Sequence, residues 1–348
     1  MQGAPARSTW TAAIDDQPVR LAYDARVDLH LHTLASDGGW KPDELIDYLA
    51  EREFRVVAVC DHDTQRSVPA AMARGRERGV VVIPAVEVTA RWDDRQYHVL
   101  VYGIAPDRED EAAQPFLTML AEQDQRLQAL AEDARARLEA SGKALPSLQT
   151  VLDGRTMWPF HVMMAAITDK HVANLKEASD LVVALGSNFT TDEPLARVVV
   201  TAHEAGGVCI LAHPGRPNLG PALDAETLER MLAEAPIDGL EAYYRSYTDE
   251  DTARYRELVE RFGLLGSTGS DSHAPGVPVD PRPWRAIWCA PLLGRFGIEV
   301  APPPNGEAVW APGMDPLAAK PGPPEGENGG GKNQTEESPN AVAEAPVS

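Results

Sequence analysis

The feature that most constrains the fold is the recurrence of short apolar strands with histidine or acidic residues at or near their ends. The first of these strands, residues 27–31, carries His30 and leads directly into His32. Residues two apart on a strand point to the same face, so both imidazoles can reach one ion. A lone His-x-His is a weak signal, because such pairs also occur on solvated strands. The argument for a site therefore depends on the same arrangement recurring along the chain.

Apolar strands alternate with amphipathic helices over most of the sequence. The predicted strands are residues 27–31, 56–59, 80–86, 97–102, 208–211, 239–243 and 264–268. The predicted helices are residues 42–54, 68–78, 194–205, 223–235 and 249–262. Strands that alternate with helices, without hairpin signals, favour parallel strands joined by crossovers. In such α/β folds the chemistry gathers at the carboxyl ends of the strands.

Two regions interrupt this alternation. Residues 105–195 hold a long charged segment rich in Ala, Leu, Glu and Arg, followed by shorter apolar runs, which indicates an inserted helical cap. Residues 301–348 are acidic and rich in Pro and Gly, a composition that predicts a disordered tail. With residues 1–24 as a loose lead-in, we expect the main domain to comprise residues 25–104 and 196–300.

The composition narrows the partners and the compartment. A net charge of −21 argues against binding to duplex nucleic acid, because that affinity comes mainly from Lys and Arg clusters. No stretch of about 18 apolar residues is present, so we expect no transmembrane helix and no membrane partner. The three cysteines lie in apolar runs, which is typical of a reducing compartment. The N-terminus does not read as a secretory signal. These features predict a cytoplasmic protein and leave the oligomeric state open.

Six histidines and three acids stand at the predicted strand ends or in nearby loops. They are His30, His32, Asp37, His62, Glu87, His98, His213, Asp271 and His273. Two other histidines, His171 and His203, follow no such pattern and are interpreted as structural residues. Imidazole and carboxylate ligands without thiolate suit Mn²⁺, Fe²⁺ or Zn²⁺. The pattern therefore predicts a centre for divalent metal ions.

The order of these motifs is His-x-His, Asp, Asp-His-Asp, Glu, His, His-Pro and Asp-x-His. Over about residues 26–275 it resembles the PHP (polymerase and histidinol phosphatase) family. The resemblance implies an α/β fold, namely a distorted (β/α)7 barrel of PHP type with the helical cap inserted, and up to three divalent ions. It implies a first ion on His30, His32, Glu87 and Asp271, a second on Asp37, His62 and His273, and a third on His98 and His213 with Glu87 bridging.

Within that family the chain is most similar to stand-alone enzymes that act on 3′,5′-nucleoside bisphosphates and on the 5′ ends of short RNA. The resemblance implies a metal-dependent phosphoesterase in which metal-bound hydroxide attacks the phosphorus of a nucleotide or another small phosphorylated metabolite. That subgroup commonly carries Arg-Pro-His in the insertion, where the Arg and His hold the substrate phosphate. The corresponding stretch here is Trp158-Pro159-Phe160-His161, in which His161 fits and the Arg is missing.

Three further residues are candidates for roles in catalysis. Arg155 or Arg216 is expected to supply the missing cation for the substrate phosphate. Asp63 lies next to the ligand His62, and two roles remain open for it. It is a candidate general acid that protonates the leaving oxygen, or a partner that orients an imidazole.

Two alternative functions remain open at this point. An amidohydrolase-type barrel also uses His-x-His on its first strand and an Asp on its last, but it normally adds a carboxylated Lys and two further barrel histidines. A non-catalytic metal-binding module is the other alternative. Such a module is expected to have lost ligands or to be fused to a polymerase, whereas all nine ligands are intact in this chain.

Overall fold

The predicted apolar strands form the wall of one large sheet. The computed structural model describes residues 10–14, 17–189, 191–216, 220–276, 279–304 and 308–314. The strands are β1 (Ala13–Ile14), β2 (Gln17–Pro18), β3 (Arg20–Leu21), β4 (Arg26–Leu31), β5 (Phe54–Val59), β6 (Val81–Trp92), β7 (Arg95–Tyr102), β8 (Glu193–Pro194), β9 (Val208–Leu211), β10 (Gly239–Tyr244), β11 (Leu265–Gly269), β12 (Trp284–Arg285) and β13 (Glu299–Val300). The helices are α1 (Pro42–Glu51), α2 (Val68–Arg78), α3 (Gln114–Ala140), α4 (Leu148–Leu152), α5 (Pro159–Thr168), α6 (Leu175–Ala184), α7 (Leu195–Glu204), α8 (Ala225–Glu234), α9 (Asp249–Phe262) and α10 (Ala290–Arg295).

The sheet curls into a nearly closed barrel. Its strand order is β11-β10-β9-β7-β6-β5-β4-β12, with β8 paired to β6. The two sides of the barrel meet where the Asp271 N–H donates to the His30 carbonyl at 2.8 Å and the His32 N–H donates to the Ser272 carbonyl at 2.9 Å. Seven strands, β4 to β7 and β9 to β11, thus surround one core, and the predicted α/β barrel is confirmed. The seam is closed by predicted ligand residues themselves.

Local signals in the sequence explain where several helices begin and end. Helix α2 ends at Gly79, which adopts a left-handed φ of +71°, as expected for a glycine that caps a helix. Helix α9 begins after Thr248, whose hydroxyl accepts the Asp251 N–H at 3.1 Å, and its bounds match the prediction. None of the helices in the described ranges is long and apolar enough to cross a membrane.

The prediction of parallel strands is wrong for β7. This strand pairs with β6 and with β9 in antiparallel register. The β6–β7 turn is made by Asp93 and Asp94, which both have positive φ values, +51° and +57°. A tight hairpin turn with two left-handed residues suits Asp and Asn as well as Gly. Because β7 runs backwards, His98 near its start lies at the same end of the barrel as the carboxyl ends of the parallel strands.

The inserted region has a hydrophobic core separate from that of the barrel. Residues from α3, α4, α5 and α6 pack together around Ala134, Leu138, Leu148 and Val162. The first half of α3 instead packs on the barrel through Phe116 and Met119. This second core lies within residues 105–195, and the bounds of the cap stay a prediction.

Both ends of the described chain pack more closely on the barrel than the sequence suggested. Strand β3, within the expected lead-in, pairs with β13. Residues 308–314 fall in the expected tail, yet the Trp288 Nε1–H donates to the Val309 carbonyl at 2.8 Å and Trp310 packs against the core. The aromatic and apolar side chains of this stretch contact the barrel, although its Pro and Gly content predicted disorder. The rest of the predicted tail, residues 315–348, and residues 1–9 of the lead-in lie outside the described residues.

Candidate metal centre

Glu87 is the midpoint of the candidate site. It lies within β6, its side chain is fully buried, and both of its oxygens face imidazole rings. The distances from Glu87 Oε2 are 3.0 Å to His30 Nε2, 3.1 Å to His32 Nε2 and 3.4 Å to His62 Nδ1, and those from Oε1 are 3.1 Å to His98 Nδ1 and 3.0 Å to His213 Nε2. One carboxylate thus faces five imidazoles that lie on, or shortly after, the four strands β4, β5, β7 and β9, and only the closed barrel brings these together.

The nine predicted ligands converge into overlapping groups. Within each group, one ligand atom from each residue lies within 4.8 Å of the others. The groups are His30, His32, Glu87 and Asp271; His32, Asp37, His62 and His273; and His62, Glu87 and His98. His213 joins the third group through Glu87, as given above. The structure therefore brings every predicted ligand to one largely buried cluster, and His32, His62 and Glu87 each fall in two of the groups.

The proton arrangement around His30 fits a divalent cation. Its Nδ1 lies 3.1 Å from Glu241 Oε1, so a neutral ring that donates there has its lone pair on Nε2. That lone pair faces Glu87 Oε2 at 3.0 Å and Asp271 Oδ1 at 3.5 Å. Three electron-pair donors then surround one point. In the described part of the chain, both ring nitrogens of His32 and Nδ1 of His98 are buried without a hydrogen bond. Divalent ions held by the groups given above would satisfy the lone pairs that these rings leave without a hydrogen-bond donor.

The electrostatics of the cluster favour positive charge at the same place. Burial alone would lower the pKa of His30, but the carboxylates of Glu87, Glu241 and Asp271 outweigh it and raise that pKa well above its usual range. Burial would likewise raise the pKa of Glu87, yet the surrounding imidazoles hold it well below its usual range. The negative charge of these carboxylates, which would otherwise hold a proton on His30, also attracts a divalent ion.

Three non-glycine residues of the site have a left-handed backbone. The φ values are +50° for Asp63, +28° for His213 and +51° for Asp271. Such conformations are strained for residues with a side chain and persist where the surrounding structure enforces them. Contacts at the barrel seam and in the turns after β5 and β9 therefore hold these residues in left-handed conformations that non-glycine residues rarely adopt.

Buried polar residues outside the predicted ligand set contact the ligands or the chain next to them. Glu241 contacts His30 and also accepts the His213 N–H at 2.8 Å. Asp61 accepts hydrogen bonds from Thr33 N–H and Thr33 Oγ1, both at 2.7 Å. Tyr244 OH donates to Asp271 Oδ2 at 2.7 Å. Sequence analysis missed Glu241 and Tyr244. The signal for Glu241 was a lone acid within an otherwise apolar strand.

Asp63 points into a network of hydrogen-bond donors. Its carboxylate accepts the Thr89 N–H at 2.8 Å, the Thr89 hydroxyl at 2.7 Å and the Gln123 amide at 3.3 Å. Burial raises its pKa, although the bonds from Thr89 oppose that effect. Since Gln123 lies on α3, Asp63 joins the loop after β5 to strand β6 and to the cap.

A cleft beside the cluster separates the barrel from the cap. It has a volume of about 160 Å³. It is lined by Leu34, Asp37, Gly38, Gly39, Val151, Arg155, Phe160, His161, Met164, His273 and Ala274. His161 is 2% exposed, and its Nδ1 accepts the Trp158 N–H at 3.1 Å. Its Nε2 therefore carries the proton, and no described group accepts it. Burial, and then the charge of Arg155, lower the pKa of His161 to about 4.

The two arginines predicted to bind phosphate have different surroundings. Arg155 lines the cleft and donates from Nε to the Leu152 carbonyl at 2.9 Å. Arg216 instead lies 3.1 Å from Asp271, measured from Nη1 to Oδ2. Arg155 therefore faces the cleft that holds His161, whereas Arg216 is paired with a predicted ligand.

The two histidines interpreted as structural lie away from the cluster. His171 Nε2 is 2.6 Å from the Ala144 carbonyl in the cap. His203 Nε2 is 2.8 Å from Asp238 Oδ2, which also accepts the Cys209 N–H at 2.8 Å. Burial raises the pKa of the Cys209 thiol well above its usual range.

Known proteins resemble the chain over most of its length. No family model matches it. It is 30% identical over 268 residues to a 3′,5′-nucleoside bisphosphate phosphatase of Chromobacterium violaceum, which covers 72% of this chain and 88% of the relative. It is 28% identical over 259 residues to a 5′-3′ exoribonuclease of Haemophilus influenzae, covering 72% of this chain and 90% of the relative. Among solved structures, one assigned as a metal-dependent phosphoesterase of Bifidobacterium adolescentis matches with a TM-score of 0.61 and 25% identity, over 76% of this chain and 92% of the other.

A buried imidazole and carboxylate cluster at the end of such a barrel, in a chain with these relatives, defines a phosphoric ester hydrolase that uses divalent metal ions. The chain belongs to the PHP family of metal-dependent phosphoesterases. An amidohydrolase-type site would need a lysine among the ligands. The four lysines within the described ranges, Lys41, Lys143, Lys170 and Lys176, all lie outside the barrel strands.

Proposed function

We propose that the protein hydrolyses phosphate esters of nucleotides, with 3′,5′-nucleoside bisphosphates or the 5′ end of short RNA as its substrate class. The observation that carries this proposal is the cleft in which the buried, unpartnered Nε2–H of His161 lies beside Asp37 and His273. A proton donor beside a cationic metal cluster suits the negative oxygens of a phosphoryl group. The activities named for the two relatives support the same class.

We propose up to three divalent ions, Mn²⁺, Fe²⁺ or Zn²⁺, in the ligand sets given by the family resemblance. Imidazole-rich sites favour these ions over Mg²⁺, which prefers oxygen ligands. When bound, the ions lower the pKa of a coordinated water and neutralise charge on the phosphoryl group. Glu87 Oε2 faces His30 and His32 of the first set, and Glu87 Oε1 faces His98 and His213 of the third, so this carboxylate would be suited to serve both sets.

The remaining chemistry is assigned to residues of the cleft. His161 is neutral above about pH 4, so its Nε2–H is available as a hydrogen-bond donor at neutral pH. Arg155 lines the same cleft and adds positive charge that attracts the phosphate. Together they orient the ester and stabilise its developing negative charge.

Asp63 is assigned as a positioning residue rather than the general acid. Its two oxygens are already occupied by Thr89 and Gln123. A carboxyl group that accepts three hydrogen bonds is committed to holding the loop that carries His62. The leaving oxygen would then take its proton from water or from a group on the substrate.

The cysteines and the net charge support the expected compartment and partners. The three cysteines are free and buried, as in proteins of reducing compartments, and we propose that the enzyme is cytoplasmic. The acidic composition supports a small substrate or a single RNA end over a DNA or RNA duplex.

The test is a substrate panel assayed with added Mn²⁺. We expect phosphate release from adenosine 3′,5′-bisphosphate or from a 5′-phosphorylated trinucleotide, and weaker release from p-nitrophenyl phosphate. Glu87→Gln should abolish release, while His203→Gln, remote from the cluster, should retain it. Hydrolysis of amides or lactones without phosphate release would contradict the proposal.

A further inference from the structure

Helix α5 of the cap presents two different apolar faces. Val162, Ala165 and Ala166 are buried in the hydrophobic core of the cap. Phe160 and Met164 lie four residues apart, so their side chains share another face of the helix. Both are partly exposed and line the cleft, and in the described part of the chain neither packs against a hydrophobic core. Two large apolar side chains are therefore presented to the cleft.

The barrel also contributes apolar groups to the cleft. Leu34 follows β4 and Ala274 follows β11, and both line the cleft and are partly exposed. Neither is packed in a hydrophobic core formed by the described residues. Apolar surface that is open to water in this way commonly marks a ligand-binding groove. Small-molecule sites have this composition, in which a largely apolar lining surrounds a few polar groups that orient the ligand.

The apolar lining adjoins the polar groups proposed to hold the phosphate. Asp37 and His273 of the candidate metal centre line the same cleft, as does His161, whose Nε2–H has no acceptor among the described residues. Phe160 directly precedes His161, and their ring centroids lie 6.0 Å apart. An ester whose phosphate contacts these polar groups therefore has its organic part in the cleft, within reach of Phe160.

The size of the cleft limits the group that it can enclose. Its volume is about 160 Å³, and an apolar cavity of about 150 Å³ in another protein holds one benzene molecule. The cleft can thus enclose one aromatic ring, whereas a whole nucleoside would extend into solvent. A ring that lies against Phe160 buries apolar area on both partners and gains the attraction of an aromatic pair.

We propose that Phe160, Met164 and Leu34 form a subsite for one aromatic ring of the ester whose phosphate is cleaved. This inference rests on the proposed function and specifies the organic part of the substrate, in which the ring is a nucleobase or an aryl group. The subsite lies where the chain has Trp158-Pro159-Phe160-His161 in place of Arg-Pro-His. Contact with the ring thus supplies binding energy at a segment that lacks the arginine, and esters of the same charge without a ring should bind more weakly.

The test separates the ring from the charged group. Phenylphosphonate and methylphosphonate carry the same phosphonate group, are not hydrolysed as esters, and differ in the ring. Calorimetry measures their binding to the full-length chain loaded with Mn²⁺. We expect phenylphosphonate to bind about 10- to 100-fold more tightly, because its ring buries apolar area against Phe160. In Phe160→Ala this ratio should fall at least about fivefold, and Phe160→Leu should retain part of it, since leucine keeps apolar area and loses the aromatic pair.

Two further ligands identify the source of the ring. Uridine 5′-monophosphate and ribose 5-phosphate are compared as inhibitors of p-nitrophenyl phosphate hydrolysis. If Phe160→Ala weakens only the inhibition by uridine 5′-monophosphate, the ring is a nucleobase. If both inhibition constants stay unchanged while the phosphonate ratio falls, the ring is an aryl group.

The control is Val183→Ala on α6, which shortens an exposed side chain of the cap outside the cleft lining and should leave the phosphonate ratio unchanged. Met164→Ala is a second variant of the subsite and should also lower the ratio. Equal binding of the two phosphonates by the wild type, or a ratio that survives in both subsite variants, would overturn the inference. Equal weakening of both inhibitors by Phe160→Ala would overturn it as well. Failure of the wild type to release phosphate from any ester would instead overturn the proposed function, and the phosphonate ratio would still decide the subsite.

Discussion

His30 Nδ1 lies 3.1 Å from Glu241 Oε1, and the other oxygen of Glu241 accepts the His213 N–H at 2.8 Å. One fully buried carboxylate thus orients ligands from two different strands, β4 and the end of β9. The fit is tight, because a Cβ on Gly269 would lie 2.1 Å from Glu241 Oε1 and 2.4 Å from His30 Cβ. Hydrogen-bonded acids behind metal ligands fix the ring tautomer and raise the basicity of the coordinating nitrogen.

We expect Glu241→Gln to weaken metal binding about 10- to 100-fold. A glutamine offers one acceptor oxygen, so either His30 or the His213 N–H meets an amide N–H instead. Metal retained after dialysis against a metal buffer measures the effect. The matched control is Glu234→Gln, whose carboxylate accepts only the Trp92 Nε1–H at 2.8 Å among its described contacts. Unchanged affinity in Glu241→Gln would show that Glu241 does not position the ligands.

We expect up to three divalent ions in each active chain, because nine ligands converge on one cluster. Glu87→Gln should reduce the metal content by at least one ion and lower the activity on phosphate esters by about 1,000-fold or more. Elemental analysis of unchelated protein and of the variant provides the count. Active wild-type protein with one ion or none would contradict the three-ion scheme.

We expect Asp63→Asn to lower the free energy of unfolding by about 1 to 3 kcal/mol, because its amide N–H₂ would face the Thr89 and Gln123 donors. If Asp63 only positions other residues, Asp63→Asn should lower the hydrolysis rates of p-nitrophenyl phosphate and of an alkyl phosphate equally. Urea unfolding and parallel assays of both esters measure these effects. A decrease of about 100-fold for the alkyl ester alone would instead identify Asp63 as the general acid.

We expect His161 to make the folded state less stable as the pH falls. Burial and Arg155 lower its pKa in the folded state to about 4, whereas the unfolded chain binds the proton below about pH 6.5. More protons are then bound by the unfolded state, so the free energy of unfolding decreases by about 2 kcal/mol from pH 7 to pH 5. Urea unfolding of the metal-free protein at both pH values measures this decrease. In His161→Gln, the fall in the free energy of unfolding between pH 7 and pH 5 should be smaller by that amount. If the variant and the wild type show the same fall, the imidazole of His161 is not buried in its neutral form.

We expect the end of the chain to stabilise the barrel only as far as Met314. Truncation after residue 304 removes the Val309 and Trp310 contacts with Trp288 and Arg256, and should lower the free energy of unfolding by about 1 to 3 kcal/mol. Truncation after Met314 should leave the melting temperature and activity unchanged, since the remaining Pro- and Gly-rich sequence cannot bury enough apolar surface to offset its ordering entropy. Thermal melts of both truncations distinguish the two outcomes.

The candidate ligands could be selected from the sequence because strand periodicity and chemistry coincide. His30 and His32 are two residues apart on one strand, and each later ligand follows or occupies an apolar segment. Five helices, α1, α2, α7, α8 and α9, were also predicted, and proline at the start of α1 and Gly79 after α2 are examples of the local signals. Only local chain geometry is needed for such predictions.

What the sequence did not determine depends on contacts between distant segments. The direction of β7 follows from the Asp93–Asp94 turn and from the pairing of β7 with β9, which places Val99 opposite Leu211. The role of Glu241 depends on barrel closure, which brings it against His30, 211 residues away in sequence. The contact of Arg66 with Trp158 exists only because the cap folds back over the barrel. The sequence by itself determined which residues can bind metal ions. The tertiary structure decided which buried acids orient them and which cations face the substrate, because these depend on long-range packing that local periodicity does not encode.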